Sequence, residues 1–309
     1  MGVLYRVVGI SKQAVSKAFL RQKDFKKRLS ELVVEVDILR EEHPGCGVEK
    51  MYDTLKPPWL GRDKFIEIFM GLGYKVRKVK NYMRTTIPGP YHYPNLIEGL
   101  LVYKKNQLWQ TDITYYPIGS RFYYICFIVD VYTREIIGYN VSDTLRTESN
   151  MKALQMAFKN NKGTNLEGLI HHSDRGCQYT SNEYTEALRR KGICISMSKI
   201  AQENAYAERI NGIIKNEYLK YRDIKTIEQL KTEVRRSVKN YNEKRIHRSL
   251  PKGETPISFS KSLLTLSDQK KPMVIVYTEG NFKIREVSNL SDFRPEKGPL
   301  VHVCPIVIS

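Results

Sequence analysis

Three strand-like runs in quick succession, residues 108–116, 121–131 and 135–141, constrain this chain more than any other feature of its sequence. Each is rich in aromatic and β-branched residues, and only Pro117-Ile-Gly-Ser120 and Thr133-Arg134 part them, spacers short enough for direct reversals. The spacing predicts an antiparallel meander. The pattern then alternates: a helix capped at Thr147 over residues 148–160, a strand over 169–173, a helix capped at Ser181 and stopped at Gly192, a strand over 193–197, and a helix from about Gln202 to Leu219. The expectation is an α/β domain with one mixed five-stranded sheet and covering helices.

Three adjacent strands followed by alternating helices and strands is the element order of a ribonuclease H-like domain, here placed at residues 105–222. Upstream, a turn and a Ser11 cap open a short helix over residues 9–19, the pattern of the second helix of a helix-turn-helix. A charged amphipathic helix from Phe25 to Glu42 and a helical pair around residues 50–70 complete a helical region assigned to residues 1–85. Pro88, Pro90 and Pro94 mark residues 86–104 as a linker. Downstream, the capping box Thr226-Ile-Glu-Gln229 opens a basic helix in a segment running over 223–260. Short strand runs around the turn at Glu279-Gly280-Asn281 suggest a small β module over 261–309.

Charge narrows the function. The 309 residues carry 51 Lys and Arg against 33 Asp and Glu, a net +18. The excess sits in the flanks, +9 over residues 1–105 and +7 over 221–309, and the centre carries only +2. Basic arms around a near-neutral centre suit a polyanion held while carboxylates act on it. The longest apolar run, residues 123–129, is far shorter than the roughly 20 residues of a spanning helix, and the N-terminus lacks a signal-peptide pattern. A cytoplasmic, nucleoid-associated protein without a membrane partner is expected. Five cysteines without a CxxC pair argue against a zinc cluster or disulfide framework and for reduced thiols.

Three acids stand where this element order would gather them: Asp112 in the first strand, Asp174 at the end of the fourth, and Glu208 on the helix after the fifth. On that helix Asn204, Asn211 and Lys215 share the Glu208 face, and Ile210, Ile213 and Ile214 fall on the opposite one. Glu203 and Glu217 are rotated away. Three carboxylates suit divalent ions, which in pairs can activate an attacking oxygen and stabilise a leaving one in phosphoryl transfer.

With these residues in hand, the chain resembles the DDE transposases of bacterial insertion sequences, the orfB type with a retroviral-integrase-like core. The resemblance rests on Trp109-Gln-Thr-Asp112-Ile-Thr-Tyr115, the stretch from Asp130 to Gly138, His172-Ser-Asp174-Arg-Gly176, and Asn204-Ala-Tyr-Ala-Glu208. Downstream it includes Lys215-Asn-Glu217, Tyr241-Asn242, Arg245, His247, Ser249-Leu250 and Thr255-Pro256. It implies a catalytic and metal-binding triad of Asp112, Asp174 and Glu208 using Mg2+, with Mn2+ as substitute and two ions per site. It implies cleavage at transposon ends and attack of the freed 3′ hydroxyl on another phosphodiester. It also implies double-stranded DNA as partner, a homo-oligomer of at least two protomers, and, in many relatives, an upstream helix-turn-helix partner protein.

Expected DNA contacts are Lys12, Gln13 and Lys17 in the first segment, then Arg62, Lys64, Lys75, Arg77, Lys78 and Lys80. Near the carboxylates they are Asn204, Asn211, Lys215, Arg245 and His247. His172 and Asn204 are expected to support the site, His172 as a hydrogen-bonded core residue more than a ligand. Asp130 is expected to form a turn. Two rivals are a helix-turn-helix regulator that lost its chemistry, which the presence of all three acids disfavours, and a ribonuclease H-like nuclease without joining activity.

Overall fold

The computed structural model describes residues 11–76, 93–198, 200–266, 271–272 and 274–276, and the chain divides into two compact units between Arg77 and Lys78. The first unit contains helices α1 (Lys12–Glu42), α2 (Val48–Leu55) and α3 (Arg62–Gly71). The Ser11 hydroxyl accepts from the Ala14 amide at 3.1 Å, so the expected cap is present. The helix it opens does not stop near Phe19, however, and runs on for 31 residues. Residues 19–28 contain no Gly or Pro, are rich in Arg, Lys, Gln and Leu, and add an Arg28–Asp24 pair at 2.9 Å one turn apart. The short first helix of the sequence reading therefore merges with the one expected from Phe25. The turn residues Gly9 and Ile10 lie outside the described residues.

From Phe25 onward α1 packs against a core. Leu32, Val36 and Leu39 pack with Val48 and Met51 of α2 and with Leu60, Phe65 and Phe69. Arg40 ties the unit together by donating to the carbonyls of Pro44 at 3.0 Å and Tyr74 at 2.7 Å. Phe19 and Leu20 are left exposed on the N-terminal half.

In the second unit β2 (Leu108–Ile118), β3 (Arg121–Asp130) and β4 (Ile136–Ser142) form the expected antiparallel meander. Then come α4 (Thr147–Asn160), β5 (Ile170–Ser173), a short α5 (Cys177–Thr180), α6 (Asn182–Arg189) and β6 (Cys194–Met197). The sheet order is β4-β3-β2-β5-β6, with β5 parallel to β2 and β6 parallel to β5, a ribonuclease H-like sheet. Arg146, without a side-chain bond, takes the cap position of α4 that the sequence suggested for Thr147. The Ser181 cap of α6 forms, accepting from Tyr184 at 3.4 Å.

Strand alternation sends side chains to two cores. Trp109, Ile113, Cys126, Ile128 and Ile137 face α4 and α6, meeting Leu154, Tyr184 and Leu188. Ile125, Phe127 and Val129 face the other way, onto α7 (Ala205–Ile213) and α8 (Ile227–Glu243). Each such fully buried side chain contributes about 2 kcal/mol. Gly138 of β4 is required by packing, since a Cβ there would overlap the Ala153 carbonyl of α4. The Thr226 capping box of α8 forms as expected, but α8 is part of the core layer rather than a separate segment, through Leu230, Val234, Val238 and Tyr241.

The linker reading fails in its described part. Ile97 and Val102 are fully buried with Leu108, Val131, Tyr132, Leu250 and Phe259, the last on α9 (Pro256–Ser262). Leu96 donates to Ser196 at 2.9 Å and Met197 to Pro94 at 3.3 Å, pinning the segment to β6. A two-residue strand β1 (Leu101–Val102) pairs antiparallel with β7 (Val274–Ile275). The described piece of the expected β module thus pairs with residues just ahead of the meander; the rest of that module lies outside the described residues.

Candidate active site

β2 pairs with β5 in parallel register from Leu108 with Ile170 to Gln110 with His172. Two residues beyond that last pair lie Asp112, within β2, and Asp174, directly after β5 ends at Ser173, so the two acids stand at matching positions of neighbouring chain segments. Beside Asp112 the Thr111 carbonyl of β2 accepts from Asn204 at 2.9 Å. The chain turns directly after Asp174, whose Oδ1 accepts from the Gly176 amide at 3.1 Å. A Cβ at Gly176 would stand 3.1 Å from that oxygen, so glycine keeps the carboxylate clear.

Glu208 is in the first turn of α7, solvent-exposed, on the face that carries Asn211. Asn211 donates from Nδ2 to Asp112 Oδ2 at 2.8 Å and so ties the Glu208 helix to the Asp112 strand. Electrostatics confirm the proximity. Burial, then the Asp174 charge, with a smaller effect of Glu208, push the Asp112 carboxyl up from 3.8 to about 8. Burial and Asp174 also raise Glu208. Like charges this close to one another favour a proton or a bound cation. Among the described residues no three His, Cys, Asp or Glu side chains stand close enough together to hold a metal by themselves. An all-carboxylate oxygen set nonetheless fits a hard divalent ion such as Mg2+, which takes one or two carboxylates and fills its shell with water and phosphate. Asn211 Oδ1, buried beside Asp112, has no hydrogen-bond partner among the described residues.

Supporting residues surround the acids. His172 is fully buried, with Nδ1 at 2.8 Å from Ser196 Oγ, and burial lowers its pKa to about 3, so the ring is neutral and serves the core as expected. His171 likewise pairs with the Tyr184 hydroxyl at 3.1 Å. Asp130 is fully buried and accepts from the Thr133 amide and hydroxyl, both at 2.8 Å, and from the Asn106 amide at 2.7 Å. That makes it the turn former the sequence suggested. The turn places Arg134 at φ 64°, and its guanidinium lies 4.1 Å over the Tyr206 ring of α7.

Several expected DNA contacts prove internal. Asn204 is buried and donates to the Thr111 carbonyl at 2.9 Å, and Asn211 is buried on Asp112. Arg245 makes a two-pronged pair with Glu217 at 2.8 and 3.0 Å and donates to His247 Nε2 at 3.2 Å, with both Arg245 and His247 buried. Their positive charge in sequence carried no information about burial. Lys215 is half-buried, with Nζ 4.4 Å from the Tyr115 ring centre. In the first unit Lys12, Gln13, Lys17 and Lys75 are exposed, whereas Arg62 pairs with Glu49 and Asp63 and Lys64 with Glu67. Arg77, Lys78 and Lys80 lie outside the described residues.

An integrase core domain family model matches residues 102–202, and a second integrase core domain model matches residues 192–256. The protein named as transposase InsK of insertion sequence element IS150, from Escherichia coli, is 31% identical over 246 residues, covering 76% of this chain and 82% of that one. The chain belongs to the insertion-sequence transposase family. The transposase-family relative named for element IS986/IS6110 of Mycobacterium tuberculosis is 35% identical over 148 residues, 46% of this chain. The chain spans about half the length of that relative, 53%. Among solved structures, the HTLV-2 integrase catalytic core domain in complex with magnesium aligns with TM-score 0.41 and 20% identity, over 54% of this transposase-family chain and 99% of that one. Among the described residues no helix is long and apolar enough to cross a membrane.

Sequence reasoning quoted Gln110 but gave it no task. It is fully buried two residues before Asp112, and all of its amide is engaged with the segment leading into α7. A polar residue at a core-facing strand position was the available signal.

Proposed function

We propose that the protein is a DNA transposase that cleaves transposon ends and joins the freed 3′ hydroxyl to another phosphodiester, using Asp112, Asp174 and Glu208. The observation that carries this reading is the meeting of three acids from different elements: two at matching positions of neighbouring chain segments, the third on a helix bonded to the first strand through Asn211. Asp112, Asp174 and Glu208 are the residues that would hold a divalent ion. When bound, Mg2+ supplies charge neutralisation and activation of the attacking and leaving oxygens.

The chain's own groups do the rest. Asn211 holds the Asp112 carboxylate in one orientation, and the Gly176 amide holds that of Asp174. Lys215, seven residues after Glu208, offers a cation for the DNA backbone. Basic exposed residues of the helical unit, Lys12, Lys17 and Lys75, are assigned to end recognition, and DNA ends handled in pairs call for at least two protomers.

The test is a strand-joining assay with DNA flanking this gene, comparing wild type with Glu208→Gln in Mg2+ or EDTA. Joined product from wild type alone, and only with metal, is the expected result. A loss of about 100-fold or more in rate with near-normal end binding would assign the defect to chemistry. Tight binding without cleavage by wild type would favour a regulator.

A further inference from the structure

The first turn of a helix has amides with no partner inside the helix, and a cap residue normally supplies one. Asn204 occupies the cap position of α7 but makes no side-chain cap bond. Gln110 takes over from the sheet. Its Oε1 accepts from the Tyr206 amide at 3.0 Å and the Ala207 amide at 3.4 Å, and its Nε2 donates to the Glu203 carbonyl at 2.9 Å. Ala207 immediately precedes Glu208, and Gln110 stands two residues before Asp112 on the same side of β2. One side chain thus bonds the start of the Glu208 helix to the strand that carries Asp112.

Two further amides repeat the connection. Asn204 donates to the Thr111 carbonyl at 2.9 Å, and Asn211 to Asp112 at 2.8 Å. Gln110 differs from both because it lies at 0% exposure and bonds through its carbonyl and its amino group at once, whereas the side-chain oxygens of Asn204 and Asn211 have no hydrogen-bond partner among the described residues. An apolar residue would fill the space, yet would take away the acceptor of two helix amides and the donor to the Glu203 carbonyl. Packing alone therefore does not account for glutamine here.

We propose that Gln110 is a positioning residue: it caps α7 from the sheet and thereby sets the separation of Glu208 from Asp112 at which the acids take a divalent ion. The proposal rests on the metal-dependent reading above. Outer residues of this kind typically govern affinity by 10- to 100-fold.

The experiment titrates Mn2+ alone into the full-length chain by calorimetry, for wild type, Gln110→Met and Gln110→Glu, and measures amide exchange of Tyr206 and Ala207 without metal. Met removes every bond at similar volume. Glu keeps the acceptor for the two amides and loses the donor to Glu203. Gln110→Met is expected to weaken Mn2+ binding at least about tenfold and to speed exchange at both amides, while Gln110→Glu keeps the amides protected and binds Mn2+ better than Gln110→Met. Strand joining should show the same order in the Mn2+ concentration needed, with maximal rate recovered at high Mn2+. Equal Mn2+ affinity in all three proteins would overturn the proposal and leave the transposase reading standing, as would a general loss of melting temperature with no change in affinity. Gln110-dependent Mn2+ binding by a wild type that joins no DNA would support the positioning and overturn strand transfer. A wild type that binds no Mn2+ would overturn both.

Discussion

Asp112 shows how far a single residue can be held from its comfortable state. Its carboxyl is pushed from 3.8 to about 8 by burial and by Asp174, so the folded chain prefers it protonated. A raised folded pKa contributes stability that is full below the unfolded value and is lost as pH climbs through the folded one. The metal-free protein should therefore lose stability between about pH 4 and pH 8. Asp112→Asn removes this dependence: at pH 8 without metal the variant should be more stable than wild type by on the order of a few kcal/mol, with the gap closing toward pH 4. Added Mg2+ should stabilise wild type and not the variant, which denaturant unfolding at the two pH values would reveal. The acids themselves were legible because Asp112, Asp174 and Glu208 sit in distinctive local strings within a recognisable order of elements. Gln110 was not, because its three bonds reach residues 93 to 97 positions away and leave no local pattern.

Elements were read well where their signals are local. The meander, the caps at Ser11 and Ser181 and the Thr226 capping box all formed. The reading failed where continuity or burial decides: α1 is one helix because nothing breaks it, and residues 93–104 are core because Ile97 and Val102 have partners far along the chain. After α7 the backbone passes through a π-helical turn at Ile214–Tyr218. Arg245, beyond α8, reaches Glu217 in that turn, and the side chains remain 7% and 18% exposed. Removing the Glu217 charge leaves the buried Arg245 guanidinium without its two-pronged carboxylate, at a cost of about 3–5 kcal/mol. Glu217→Gln should lower stability by about that amount, and Glu217→Gln with Arg245→Met by less, measured as a double-mutant cycle in urea. An equal loss in both would mean that the pair does not anchor the turn.

At the scale of the whole molecule, charge and carboxylates divide the work. The net +18 lies mostly in the flanks, while the near-neutral centre carries Asp112, Asp174 and Glu208, where the Asp174 charge helps raise both Asp112 and Glu208. Charge suggested a polyanionic partner, whereas the resemblance pointed to Arg245 and His247, whose groups are spent inside the fold. The central claim is that Asp112, Asp174 and Glu208 form one divalent-metal site. Its most direct test is anomalous diffraction from crystals grown with Mn2+ and end DNA, for wild type and Asp112→Asn. The account predicts Mn2+ peaks touching the Asp112 and Asp174 carboxylates, and their loss or marked weakening in the variant. Manganese bound elsewhere, or peaks unchanged by Asp112→Asn, would contradict it.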